Sequence, residues 1–222
     1  LPISSSLTAG FNYSLLWTTT TGAASSAGND SVISNKIEGY NFADLNFGSA
    51  NAKSFTISFW IKSSITGTYG ISLSNSAADR CYMATYTVNS ANTWEQKTIT
   101  VAGDTTGTWL TTTGIGLRIF FDLGSGSSRS IAASSVWGSS YGTGLTGGVK
   151  ISENTGATWN ITGVQLEKGS TATSFDYRPY GTELALCQRY YQNIGLAYES
   201  LIGQCESTSS VVAPVRYSEM RA

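Results

Sequence analysis

The stretch "SFTISFWIKSS", Ser54–Ser64, decides the fold. Phe55, Ile57, Phe59 and Ile61 alternate with Thr56, Ser58, Trp60 and Lys62. A period of two places four large apolar side chains on one face of a strand. Polar groups and one tryptophan lie on the other. Such a strand lies with one side on a core. "GIGLRIFFDLG" (114–124) repeats the device, with Ile115, Leu117, Ile119 and Phe121 opposed to Arg118, Phe120 and Asp122. "CYMATYTV" (81–88) alternates Tyr82, Ala84, Tyr86 and Val88, and "WEQKTITVAG" (94–103) sets Ile99 and Val101 on one side. "ATWNITGVQLEKG" (157–169) predicts a late strand in which Gly163 marks a bulge. Between these runs lie turn clusters: "GSANAK", "SNSAAD", "AGDTTG", "GSGSS" and "GTGLTGG".

Short strands joined by such turns, with no helical periodicity up to about residue 175, predict an all-β chain. The expected fold is an antiparallel β-sandwich, a jelly roll of roughly eight to ten strands. It should span 1–180. Residues 181–222 should add a short helix and a small C-terminal strand segment. Pro179 forces Arg178 extended, so Tyr177–Tyr180 reads as a hinge. Thr182 can cap a helix over 182–191 with Glu183 in its first turn. Leu184, Cys187 and Tyr191 then fall at i, i+3 and i+7, so the helix is expected to pack on the sandwich base. Tyr180, Leu184, Arg189 and Tyr190 are the expected contacts between modules or subunits. "SSVVAPVRYSEMRA" closes the sequence as one strand, held to an edge by Pro214.

Charged residues make up only 12% of the 222, and the net charge is −1. No basic field invites nucleic acid. No apolar run is long enough to insert in a membrane as a helix. Ser, Thr and Gly supply about 38% of the chain, so solubility comes from hydroxyls and amides. Histidine is absent. That removes Ser/His/Asp and Cys/His catalysis and histidine metal ligands. Cys81, Cys187 and Cys205 form no CxxC. They are expected as free, buried thiols, with a Cys187–Cys205 pair the alternative. Asp79, Asp104, Asp122 and Glu38 offer oxygens to a structural calcium, but no spaced acidic loop accompanies them, so no cofactor is expected. Glycoside hydrolysis would need two facing acids, which the sequence does not pair. The chain is expected not to be an enzyme.

Sugar-binding sandwiches stack aromatic rings on pyranoses and use amides and carboxylates for the hydroxyls. Trp60 leaves the apolar face of its strand. Trp109 and Trp137 lie in loops of small residues, with Tyr141 close to Trp137. These four are the carbohydrate-binding candidates. Each has a plainer alternative, in which it folds back over the core. Trp94 and Trp159, at strand starts, are expected inside.

Three stretches together, "FTISFWIKSS", "TWEQKTITVAGDTTGTW" and "YRPYGTELALCQRYY", resemble tail-fibre and related virion proteins of bacteriophages. In those proteins the last stretch closes a carbohydrate-binding-module-like jelly roll. The resemblance covers most of residues 32–192. It implies a virion surface protein, assembled in the host cytoplasm and trimeric, with host-surface glycans and other virion proteins as partners. It also implies strands before Leu1 and beyond "MRA". The rival expectations are a capsid-attached decoration protein and a polysaccharide depolymerase.

Overall fold

The computed structural model describes residues 10–188, 204–207 and 210–212. Along the chain the strands are β1 (Leu15–Thr18), β2 (Val32–Glu38), β3 (Phe55–Ser63), β4 (Gly67–Ser74) and β5 (Cys81–Val88). They continue with β6 (Glu95–Val101), β7 (Ile115–Asp122), β8 (Ser130–Ile131), β9 (Gly144–Leu145) and β10 (Thr158–Lys168). Two compact units are present, Leu1–Phe175 and Asp176–Ala222, and each is described by itself.

In the first unit two four-stranded antiparallel sheets have the orders β1-β10-β3-β6 and β2-β7-β4-β5. Apart from the β4–β5 hairpin, successive long strands alternate between the sheets, which is the jelly-roll wiring. β8 and β9 form a small parallel pair. The alternation in β3 does what the sequence predicts: Phe55, Ile57, Phe59 and Ile61 are all fully buried. Each such side chain contributes about 1.5–3 kcal/mol by leaving water. Phe59 meets Phe121 and Tyr86 of the facing sheet at 5.4 and 5.2 Å between ring centroids, both edge-on. The indole of Trp159 and the phenol of Tyr69 both find partners in this core. Trp159 donates its indole N–H to the Tyr86 hydroxyl at 3.1 Å. Tyr69 donates to the carbonyl of Ile65 at 2.6 Å. Burial pushes the Tyr86 phenol far above its ordinary value.

The bulge expected at Gly163 is present. The β10–β3 register shifts between Thr162 and Gln165, and Gly163 has φ +59°. A Cβ there would lie 2.3 Å from the Phe11 ring, so the backbone turn and the close approach both select glycine.

The second unit contains α1 (Tyr180–Gln188) and a hairpin of β11 (Gln204–Ser207) with β12 (Ser210–Val212). Arg178 bridges Asp176 and Glu183 within this unit, at 3.5 and 3.2 Å. No residue of α1 is buried. Tyr180 is 79% exposed, Leu184 40% and Leu186 45%. Leu184 and Leu186 point to nearly opposite sides of a helix, so the apolar residues make no single stripe. Cys81 is a buried free thiol, whereas Cys187 is free but exposed, contrary to the expectation of burial. Arg189 and Tyr190 lie outside the described residues. No described helix is long and apolar enough to cross a membrane.

Candidate functional site

Of the four aromatic candidates only Trp109 and Trp137 meet ring to ring. Trp109 is only 7% exposed and is corrected to a core residue. Its ring lies edge-on to Phe47 at 4.9 Å and against Phe42 at 5.6 Å, and its N–H reaches the carbonyl of Thr106 at 3.1 Å. The glycine- and threonine-rich loop folds back because leaving an indole in water costs more than curling flexible backbone over the end of the sandwich. Trp137 caps the same aromatic cluster from outside. It is half-buried, edge-on to Phe47 and Trp109 at 5.7 and 5.1 Å, and its N–H donates to the carbonyl of Ala102 at 2.7 Å. Tyr141 is half-buried in the loop leading to β9.

Trp60 keeps the place its alternation predicts, on the outer face of the β1-β10-β3-β6 sheet, half-buried. Its register partners are Thr162 on β10 and Gln96 on β6, and the next row is Ser58 between Gln165 and Thr98. Lys62 follows on the same face, and its ammonium stands 5.3 Å from the centroid of the Trp94 ring. That contact is a cation–π pair. Trp94, expected inside, is therefore a half-buried surface residue, while Trp159 is fully buried as expected. At the far end of this face the chain after β10 folds back. Thr56 donates to the carbonyl of Gly169 at 2.8 Å and Thr100 to that of Ser170 at 3.2 Å. The Trp60 end thus offers one indole, a lysine and a border of hydroxyl and amide groups. Lys62 shares Trp60's face by the same period of two, so that signal was available in the sequence. Trp94 sits just outside a strand and gave none.

The outer face of the other sheet is different. The 124–148 segment lies over it. Ser72 donates to the carbonyl of Gly142 at 2.5 Å, and Cys81 and Gly138 pair through both backbone hydrogen bonds. Asp122 fixes this loop from below, accepting from the backbone N–H groups of Gly124, Ser125 and Leu145 at 2.8–3.0 Å. A cleft of about 390 Å³ remains between the loop and the sheet edge, lined by Cys81, Met83, Ile131, Ser134, Gly138, Ser140 and neighbouring residues. Neither Trp137 nor Tyr141 lines it, and its wall carries no carboxylate. Hydroxyls, methyls, backbone groups and the Cys81 thiol form its lining.

The acids considered for calcium are engaged separately. Asp104 takes a two-pronged contact from Arg80, at 2.6 and 2.8 Å, and Asp79 accepts from the Asn75 amide at 2.6 Å. Burial alone would raise the Asp104 carboxyl. The Arg80 hydrogen bond and the Thr106 N–H outweigh it and hold Asp104 below the usual carboxylate value. No group of three acidic, histidine or cysteine side chains gathers to hold a metal among the described residues.

No family model matches this sequence, and no curated protein matches it. Among solved structures, one titled "CBM4 structure and function" is similar at 16% identity, with a TM-score of 0.36. The match covers 70% of this chain and 86% of that one. What the surfaces can bind has to be judged from their own residues.

Proposed function

We propose that this chain is a non-catalytic, glycan-binding jelly-roll module of a bacteriophage virion surface protein. The Trp60 end of the β1-β10-β3-β6 sheet receives the sugar. The observation that carries this reading is the setting of Trp60 itself. A half-buried indole outside the core is bordered by Thr162, Gln96, Ser58 and Thr98, with Lys62 and Trp94 beside it. An aromatic face inside a ring of hydroxyl and amide groups matches a pyranose, which has an apolar face and a polar rim. A surface with few charges also suits contact with neutral polymers. The sequence resemblance to tail-fibre proteins supports the virion setting and host-surface carbohydrate as the target.

The test is a glycan array probed with the intact chain and with Trp60→Ala. Loss of the wild-type signals in the variant, with unchanged melting, is expected. Signals that survive Trp60→Ala would remove this face from consideration. A second role, holding other subunits in a homotrimer, is favoured by the exposed Tyr180, Leu184 and Leu186 of α1. Exposed apolar side chains on one short helix suit a contact with another copy. Sedimentation of Leu184→Asp separates the two roles: a lower mass with intact glycan binding assigns α1 to assembly alone.

A further inference from the structure

We propose that the β2–β7 side of the outer face of the β2-β7-β4-β5 sheet, where Ser34 and Lys36 are exposed and Arg118 and Phe120 half-buried, binds an anionic saccharide. Its oxyanion would lie at Lys36 and Arg118 and its ring against Phe120. Lys36 of β2 and Arg118 of β7 are register partners, so both side chains leave the same face. Their Cβ atoms are then about 5 Å apart, and like charges directly opposite one another repel. No ion pair among the described residues offsets this pair. Arg80, Arg129, Arg178, Lys97, Lys150 and Lys168 each meet a carboxylate. Lys36 and Arg118 meet none among the described residues.

Two orphan polar atoms lie in the same row. The Nε of Arg118 is buried without a hydrogen-bond partner. Ser74 of β4, the register partner of Arg118 on its other side, is fully buried with its hydroxyl also unpartnered. A buried guanidinium nitrogen and a buried hydroxyl without partners are each unfavourable, and an acceptor brought to the partly exposed Arg118 guanidinium relieves the first. The acids nearby do not serve. Asp122, four residues along β7 on the same face, is 2% exposed and spends its carboxylate on three backbone N–H groups. Glu38 lies beyond a shift in the β2–β7 register and is 6% exposed.

Phe120 names the rest of the ligand. It is the next residue of β7 on this face, about 7 Å beyond Arg118. It is half-buried and paired in register with Ser34 and Ser72. It makes no ring contact among the described residues and stands outside the core cluster. A cation pair alone would accept any oxyanion, and a phenyl ring alone any apolar face. Side by side they select a sugar ring that carries a carboxylate or a sulfate ester. The residues are separate from those around Trp60, so this site stands or falls independently of that surface.

The experiment is isothermal titration of the intact chain with four probes: trigalacturonate, a sulfated galactose trisaccharide, neutral galactotriose and sodium sulfate. Binding of one or both anionic sugars, weakened by added salt, is expected, and which one binds identifies the anion. Lys36→Gln should weaken it about tenfold or more. That residue is exposed, so the variant should fold even if Arg118→Gln does not. Lys53→Gln, which removes an exposed lysine the site does not use, should leave it unchanged. No binding of either anionic sugar, binding indifferent to Lys36→Gln, or sulfate ion binding as tightly as the sugars would each overturn the proposal.

Discussion

On β3 the outward side chains run from the buried Thr56 and Ser58 to the partly exposed Trp60 and Lys62, whereas on β4 the outward Gly70, Ser72 and Ser74 are all buried. Both strands send large apolar groups inward, yet their outer faces are used differently. One lies open at its Trp60 end. The other is roofed by the 124–148 loop, with Ser72 holding the carbonyl of Gly142 and Leu145 packed over Gly70. Small polar residues on a strand therefore mean two things. They border a surface when nothing covers them, and they make room for a second layer when a loop does.

The largest effect should come from the face the two sheets share. Phe59 is fully buried between Phe121 and Tyr86, so Phe59→Ala should cost about 3–5 kcal/mol in urea unfolding. A loss below about 1 kcal/mol would mean that the sheets do not share one close-packed core at this point.

The next effect lies at the tie between the β4–β5 turn and the loop after β6. Asp104 is 3% exposed and held by Arg80. Its carboxyl sits below the ordinary value in the folded chain, so the unfolded state binds the proton more tightly. The stability it contributes is complete above the unfolded value, near pH 4, and is lost as pH falls through the lower folded value. Asp104→Asn should therefore cost about 2–4 kcal/mol at pH 7. The deficit should shrink in acid, because the wild type then loses the same contact. Melting curves of both proteins from pH 7 to about pH 2.5 check this. A deficit that stays constant over that range would show that the ion pair is not its source.

Gly70 sharpens the contrast between the faces. A Cβ there would stand 2.7 Å from the Cβ of Leu145 and 3.2 Å from the sulfur of Met83. Gly70→Ala should push the loop off the sheet at a cost of about 1–3 kcal/mol. Hydrogen exchange should quicken at the Leu145 amide, which Asp122 holds in the native chain. Unchanged exchange would mean that the loop is anchored without this contact.

The same contrast explains what the sequence made legible. β3, β5, β6, β7 and β10 announce themselves because large apolar residues alternate with polar ones, and Gly163 marks its bulge. β4 does not. "GTYGISLS" resembles a Ser/Gly linker, because its outward positions are small to receive the loop, and that loop lies some seventy residues away in sequence. The short edge strand β1 and the largely polar β2 carry too little alternation to stand out. Trp60 was legible because its face follows from its own strand. Trp109 was not, since nothing local shows that a flexible loop curls back onto Phe42 and Phe47. The pairing of Lys36 with Arg118 needs the β2–β7 register, which no single strand contains.

The smallest expected effect on stability belongs to the neighbour of Phe59. Trp60 is half-buried and outside the core cluster, so Trp60→Ala should cost about 1 kcal/mol or less in the isolated chain. Adjacent residues of one strand would then differ several-fold in stability while only the outer one matters for sugar. A loss as large as that of Phe59→Ala would mean that the Trp60 end is covered in the folded protein. Another copy of the chain is the cover that sedimentation can test. Sedimentation of the variant decides between the two: an unchanged mass keeps Trp60 free for a ligand, and a fall to the monomer makes it a subunit contact.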